Sequence, residues 1–336
     1  MHSFNIICLA TIATFVAAVD ITCNTDVFSR SSNPNFKLLP KDFNELESKI
    51  SPDSPLLLFI RSGQGSHDKS SKFANIYQRM KQNVRRSTTG DCSDEDRLYY
   101  FDPDLDESGV KQAHQLKDQL HSSGWIQFLD RVSNVQYLAS PLSRAIETAL
   151  QAMPNSKIVV DEGVRPRITP LGIDLRRPLN CPLTLGEQTF ESAQIKFKDF
   201  KDRLVFKMAD LHSDNVYDKF GYYSDEDPNI KNGAMESDED LDARITKWLE
   251  MLRPRRENQS TVTKVMDKIL PDPIQTKLTN LPPKVYVIFT NQNFISGILN
   301  RFNLKAYQEQ NNQLNFCEVV PILLEYGRSP NSSSNY

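Results

Sequence analysis

Two short, unbroken apolar runs most constrain what this chain can fold into. Residues 56–60 read LLLFI and residues 285–289 read VYVIF. Both are too short to cross a membrane as helices. Neither alternates with polar residues, so each reads as a strand covered on both faces, the kind found inside mostly parallel sheets. Further strands are predicted at Val135–Ala139, Lys157–Val160 and Val319–Tyr326. Between them lie helical patterns. Gly109–Leu120 carries Val110, Ala113, Leu116 and Leu120 on one face, a second helix starts at Ser140-Pro141 with Ser140 as its cap and Pro141 in its first turn, a third follows Ser237 to Leu252, and a fourth spans about Phe294–Phe302. Alternating strands and helices predict an α/β fold, a three-layer α/β/α sandwich with a mostly parallel central sheet. In such folds ligands bind beyond the carboxyl ends of strands. Arg61, Ser62, Arg144 and Asn291 all fall at that position in the pattern.

The remaining sequence sets the organisation. Residues 5–18, NIICLATIATFVAA, form a short apolar run ending in small residues, with Val16 and Ala18 placed as in a signal-peptidase site, so 1–18 reads as a secretory signal. Residues 19–54, punctuated by prolines, read as an N-terminal wrapping segment. The main domain is expected over 55–327, with a helical insertion around 186–236 and a polar tail at 328–336. Removing the signal takes Cys8 with it. Cys23, Cys92, Cys181 and Cys317 remain, an even number that suits two disulfides in an oxidising compartment, with three connectivities open. Asn258 and Asn331 begin glycosylation sequons. The net charge of −3 gives no reason to expect a nucleic-acid partner or a membrane surface. Five histidines without metal-ligand spacing lead us to expect no metal and no cofactor.

The loops after the strands carry the chemistry. Residues 61–68 read RSGQGSHD. They are followed by Asp104-Leu105-Asp106-Glu107-Ser108-Gly109 with Gln112-Ala113, then Ser140-Pro141-Leu142-Ser143-Arg144-Ala145 with Thr148-Ala149, the region Leu171–Cys181, and Phe289-Thr290-Asn291. In this order the five segments, covering roughly residues 55–327, resemble the histidine phosphatase superfamily, also called phosphoglycerate-mutase-like. The first segment is similar to the RHGQGxHN form of its fungal and plant phosphomutase-like branch.

The resemblance implies a role for each position. Arg61 and Arg144 match two arginines that clamp phosphate, for which the guanidinium fork is suited in shape and permanent charge. Ser62 stands where the family has its nucleophilic histidine, and Asn291 where it has its second catalytic histidine. Counting back from Cys181 places Asp174 on the family's proton-donating glutamate. His67 is the nearest imidazole to Ser62 in sequence. Its family counterpart is not the nucleophile and is followed by Asn, where this chain has Asp68. A serine hydroxyl is protonated at neutral pH, and an asparagine amide donates a hydrogen bond without carrying charge. Loss of a catalytic nucleophile typically costs on the order of 10⁶ in turnover. The resemblance with these replacements implies a secreted pseudoenzyme that keeps an anion pocket for inorganic phosphate or a phosphorylated small molecule, with a protein partner as a further expectation. Two other readings stay open: a weak or altered phosphomonoester phosphatase using Ser62 or water, and an interaction protein that binds no phosphate.

Overall fold

The computed structural model describes residues 21–24, 27–30, 38–68, 101–169, 172–185, 188–207, 236–253, 284–304 and 314–326. Six of the expectations above lie outside these residues: the signal 1–18, Cys92, Asn258, Asn331, the tail 328–336, and 208–235 of the expected insertion.

In chain order the described elements begin with β1 (Ile21–Asn24), β2 (Phe28–Arg30), β3 (Leu38–Pro40), α1 (Phe43–Lys49) and β4 (Leu56–Arg61). Next come α2 (Glu107–Ser122), α3 (Trp125–Arg131), β5 (Val135–Ala139), α4 (Ser143–Ala152), β6 (Ile158–Asp161), β7 (Leu183–Leu185) and β8 (Gln188–Phe190). The chain continues with α5 (Ala193–Lys196), β9 (Leu204–Lys207), α6 (Asp238–Leu252), β10 (Val285–Thr290), α7 (Gln292–Arg301) and β11 (Val319–Tyr326). The main sheet has the order β1-β11-β4-β10-β5-β6-β9. From β4 to β9 every neighbour is parallel, and β11 and β1 pair antiparallel at the other side.

The two apolar runs therefore form adjacent central strands. β4 and β10 pair from Val285↔Leu56 to Thr290↔Arg61, and every residue of β10 is buried. Phe59 of β4 meets Trp248 of α6 and Phe294 of α7 at ring-centroid distances of 6.2 and 6.3 Å. Burying one such side chain contributes about 2 kcal/mol. α6 packs against α7, while α2 packs against α3 and α4, giving the helical layers that flank the sheet. α2 starts where Asp106 accepts a hydrogen bond from the Gly109 amide at 2.8 Å, and it buries Ala113, Leu116 and Leu120. α6 starts with a capping box between Ser237 and Asp240.

Four expectations change. Part of the 19–54 segment does not merely wrap the domain: β1 is an edge strand of the main sheet. Within the expected helical insertion 186–236, Leu204–Lys207 is the opposite edge strand, parallel to β6. Four residues are too few to display a period, and their partner lies far back in sequence, so packing decides this strand. Ser140 does not cap the helix after it. α4 begins at Ser143, and the cap comes from Asp102, whose carboxylate accepts from the Ser143 amide at 2.8 Å and from its hydroxyl at 2.6 Å. Finally, the expected disulfides do not form among the described cysteines: Cys23, Cys181 and Cys317 are free thiols. Cys23 packs from the edge strand against the core, Cys317 is buried, and Cys181 is exposed.

Candidate functional site

The carboxyl ends of β4 and β10 hold the first two site positions side by side. The Ser62 amide donates to the Thr290 carbonyl at 2.8 Å, and the Ser140 amide, at the end of β5, donates to the Phe289 carbonyl at 2.8 Å. Ser62, Asn291 and the start of the Ser140 turn thus share one rim of the sheet. The turn after Ser62 is pressed onto the helices. The Gly63 amide donates to the Thr148 hydroxyl at 3.0 Å, and that hydroxyl donates to the Arg144 carbonyl at 2.6 Å. The Gln64 amide donates to the Gln112 side chain at 2.9 Å. This crossing explains Gly109: a Cβ there would stand 2.1 Å from the Gln64 carbonyl oxygen. Glycine is used because two backbones touch.

Arg144, in the first turn of α4, is only 2 % exposed. Its Nη1 donates to the Ile173 carbonyl at 2.6 Å, and its Nη2 lies 3.5 Å from an Asp174 carboxylate oxygen. Nη2 makes no hydrogen bond among the described residues. Asp174 is itself 3 % exposed and accepts from the Thr169 hydroxyl at 2.6 Å. Burial raises its pKa, with Arg144 and the Thr169 hydroxyl opposing the rise. Asp174 is thus a carboxyl that can hold a proton, placed against a guanidinium.

Arg61 ends β4. Its Nη1 donates to the Leu314 carbonyl, and its guanidinium lies 4.0 Å over the Phe316 ring. Burial lowers its pKa; the charge on Asp68 opposes this and the charge on Arg144 adds to it. The two arginines therefore feel one another. His67 sits within the same group, 5 % exposed, beside Gly65, whose added Cβ would lie 2.7 Å from the imidazole and 3.6 Å from Arg144 Cδ. Burial, then Arg144 and Arg61, push the His67 pKa down to about 3. Its imidazole is neutral at physiological pH.

Ser62 is 4 % exposed. Asn291 caps α7: its side-chain oxygen accepts from the Asn293 amide at 2.8 Å. The structure thus gathers Arg61, Ser62, Arg144, Asp174 and Asn291 at one end of the sheet. Sequence reasoning missed two contributors. Asp68, read only as a departure from the family pattern, accepts from the Gly65 amide at 2.8 Å and lies 3.5 Å from His67 Nε2. Asp102 occupies the α4 N-terminus and pairs with Arg177 Nε at 3.0 Å. No local pattern marks Asp102, because its partners lie about 40 and 75 residues away in sequence. Among the described residues no group of three or more His, Cys, Asp or Glu is arranged to hold a metal ion.

No protein-family model and no curated protein matches this chain. Among solved structures, a phosphoserine phosphatase variant from Entamoeba histolytica in complex with phosphoserine is 16% identical, with 79% of this chain and 89% of that one covered and a TM-score of 0.33. A phosphoglycerate mutase from Bacillus anthracis is 14% identical, with 83% and 93% covered and a TM-score of 0.36. At this identity and TM-score neither likeness bears on the chemistry, and the site is read from its own residues alone.

Proposed function

We propose that this chain is a secreted pseudoenzyme on a phosphatase-like scaffold: it binds phosphate or a phosphorylated small molecule and does not transfer the phosphoryl group. The observation that carries the reading is Arg144. It is a buried guanidinium whose charge is met by Asp174 but whose Nη2 makes no hydrogen bond among the described residues, which leaves a donor for a further oxygen, and Arg61 shares its surroundings. A tetrahedral anion bridging the two would meet both charge and donors. The strand ends beneath them bear Ser62 and Asn291. Neither supplies a nucleophile at neutral pH, and Asn291 already spends its oxygen on a helix cap. Secretion is supported by the apolar run at 5–18.

One observation favours a second reading, a slow phosphomonoester phosphatase. Asp174 has the burial and the raised pKa of a general acid beside Arg144. Phosphomonoester hydrolysis by residues 19–336 separates the two, measured alongside the Ser62→His/Asn291→His double variant. The pseudoenzyme reading expects a silent parent and a double variant with measurable turnover through a phosphohistidine. Turnover by the parent that is lost in Ser62→Ala replaces it with the second reading.

A further inference from the structure

β11 runs antiparallel to β4, so the residues leading into it stand at the carboxyl end of β4, where the site lies. They form a turn fixed on the backbone of Arg61. The Cys317 amide donates to the Arg61 carbonyl at 3.1 Å, and the Arg61 amide donates to the Glu318 carbonyl at 3.0 Å. Inside the turn the Asn315 amide donates to the buried Glu318 carboxylate at 2.6 Å. Cys317 has a φ of 59°, a left-handed conformation that residues other than glycine, asparagine and aspartate adopt rarely. Such a conformation is kept only where the surroundings over-determine it. What this turn delivers is a grip on the Arg61 side chain. The Leu314 carbonyl accepts from Nη1, and the centre of the half-buried Phe316 ring lies 4.0 Å from the guanidinium carbon.

Arg61 differs from the other arginines about the site. Arg144 and Arg177 each lie against a carboxylate, at 3.5 and 3.0 Å. Among the described residues Arg61 forms no ion pair, and its charge meets the face of a ring. An aromatic face attracts a cation without neutralising it, and stacking fixes the plane of a guanidinium while its N–H groups point outward along the edge. We propose that Phe316 is a positioning residue of the anion site: stacked on Arg61, it holds that guanidinium in the plane from which its donors and its charge meet a tetrahedral anion. This rests on the anion-pocket reading above and divides the work between the two arginines. Arg144, whose charge Asp174 already meets, supplies a donor. Arg61 supplies the attraction for the charge of the ligand.

The test measures inorganic phosphate binding by calorimetry to the wild-type chain, Phe316→Leu and Phe316→Tyr. The Arg61 side-chain N–H resonance is followed by NMR in the same three proteins. Leucine keeps an apolar side chain and removes the ring; tyrosine restores the ring. Phe316→Leu binds phosphate roughly fivefold more weakly, the scale of a partly desolvated cation–π contact, and Phe316→Tyr binds as the wild type does. The Arg61 N–H resonance is displaced by the ring in the wild type and in Phe316→Tyr, loses that displacement in Phe316→Leu, and moves as phosphate is added. A role in packing alone would leave the affinity of the folded Leu variant unchanged. Equal phosphate affinity in wild type and Phe316→Leu therefore overturns the proposal while leaving the pocket standing, as does an equal loss in Phe316→Leu and Phe316→Tyr. If Phe316→Leu fails to fold, the wild type decides: phosphate that binds without moving the Arg61 resonance overturns the proposal. No phosphate binding by the wild type overturns the pocket reading itself and the proposal with it.

Discussion

Replacing Arg144 by methionine exposes how the site is held together. Arg144 Nη2 lies 3.5 Å from an Asp174 oxygen, and both side chains are almost wholly buried. At the effective dielectric that suits buried pairs, this contact amounts to about 5 kcal/mol of attraction. Methionine keeps the packing stem and removes the charge, leaving Asp174 buried with the Thr169 hydroxyl. The loss is limited because Asp174 can escape by taking a proton, at about 1.4 kcal/mol per pH unit above its pKa. The sign follows from the raised folded-state pKa. Such a carboxyl gives its full stabilisation below its unfolded pKa and loses it as pH rises through the folded one. Removing the cation moves the folded pKa further up and extends that loss to higher pH. Arg144→Met should therefore cost about 3 kcal/mol at about pH 8 and at least about 1 kcal/mol less at about pH 5. Asp174→Asn in the same background should recover much of the difference. The assay is denaturant unfolding of the four proteins of the cycle at both pH values. A cost that is the same at both pH values and additive with Asp174→Asn would refute the coupling.

Two further outcomes follow from the packing and the thiols. Gly109→Ala places a methyl against the backbone of Gln64. It should lower stability by about 2 kcal/mol although alanine is the better helix former, and an unchanged unfolding midpoint would show that the turn can move away. In thiol labelling of the folded protein, Cys181→Ser should remove a fast-reacting group and Cys317→Ser should not. Cys181 is exposed, whereas burial pushes the Cys317 thiol up to about 12. A bridge joining any two of Cys23, Cys181 and Cys317 in non-reducing peptide mapping would contradict the free thiols.

The central architecture was legible because its strands are buried on both faces. Leu56–Ile60 and Val285–Phe289 could hardly be anything else, and the residues that follow them had to reach one end of the sheet. Arg144 and Asp174 were legible through the resemblance, and only the structure shows that they touch. The sheet edges were not legible. Ile21–Asn24 and Leu204–Lys207 are four-residue strands whose identity lies in the strand each one pairs with. The α4 cap was misread for a related reason. Ser140-Pro141 carries the local signature of a helix start, yet a buried carboxylate from Asp102 outcompetes a serine hydroxyl for the first free amide. Local patterns predict local partners, and here the stronger acceptor arrives from a distant loop.

That cap bears on what can hold an anion at this site. A helix N-terminus is a natural anion seat because its free amides and dipole point outward. At α4 the seat is already taken: Asp102 occupies the Ser143 amide and hydroxyl, and Arg177 balances its charge. The Ser143 amide is therefore closed to a ligand, which leaves the guanidinium groups as the charged donors at this site. Arg61 is oriented in advance by the Leu314 carbonyl and the Phe316 ring, and Arg144 by the Ile173 carbonyl. Pre-oriented donors lose little side-chain freedom on binding. Arg144 Nη2 meets Asp174 at 3.5 Å without a hydrogen bond among the described residues, so it can still donate to a ligand oxygen. An anion that binds only the folded chain raises its stability by about 2.7 kcal/mol at a hundred times Kd. Phosphate should accordingly raise the unfolding midpoint of the wild type and not of Arg144→Met. Asp102→Asn, which weakens the cap while leaving both guanidinium groups in place, should keep the phosphate-induced rise even as its own midpoint falls.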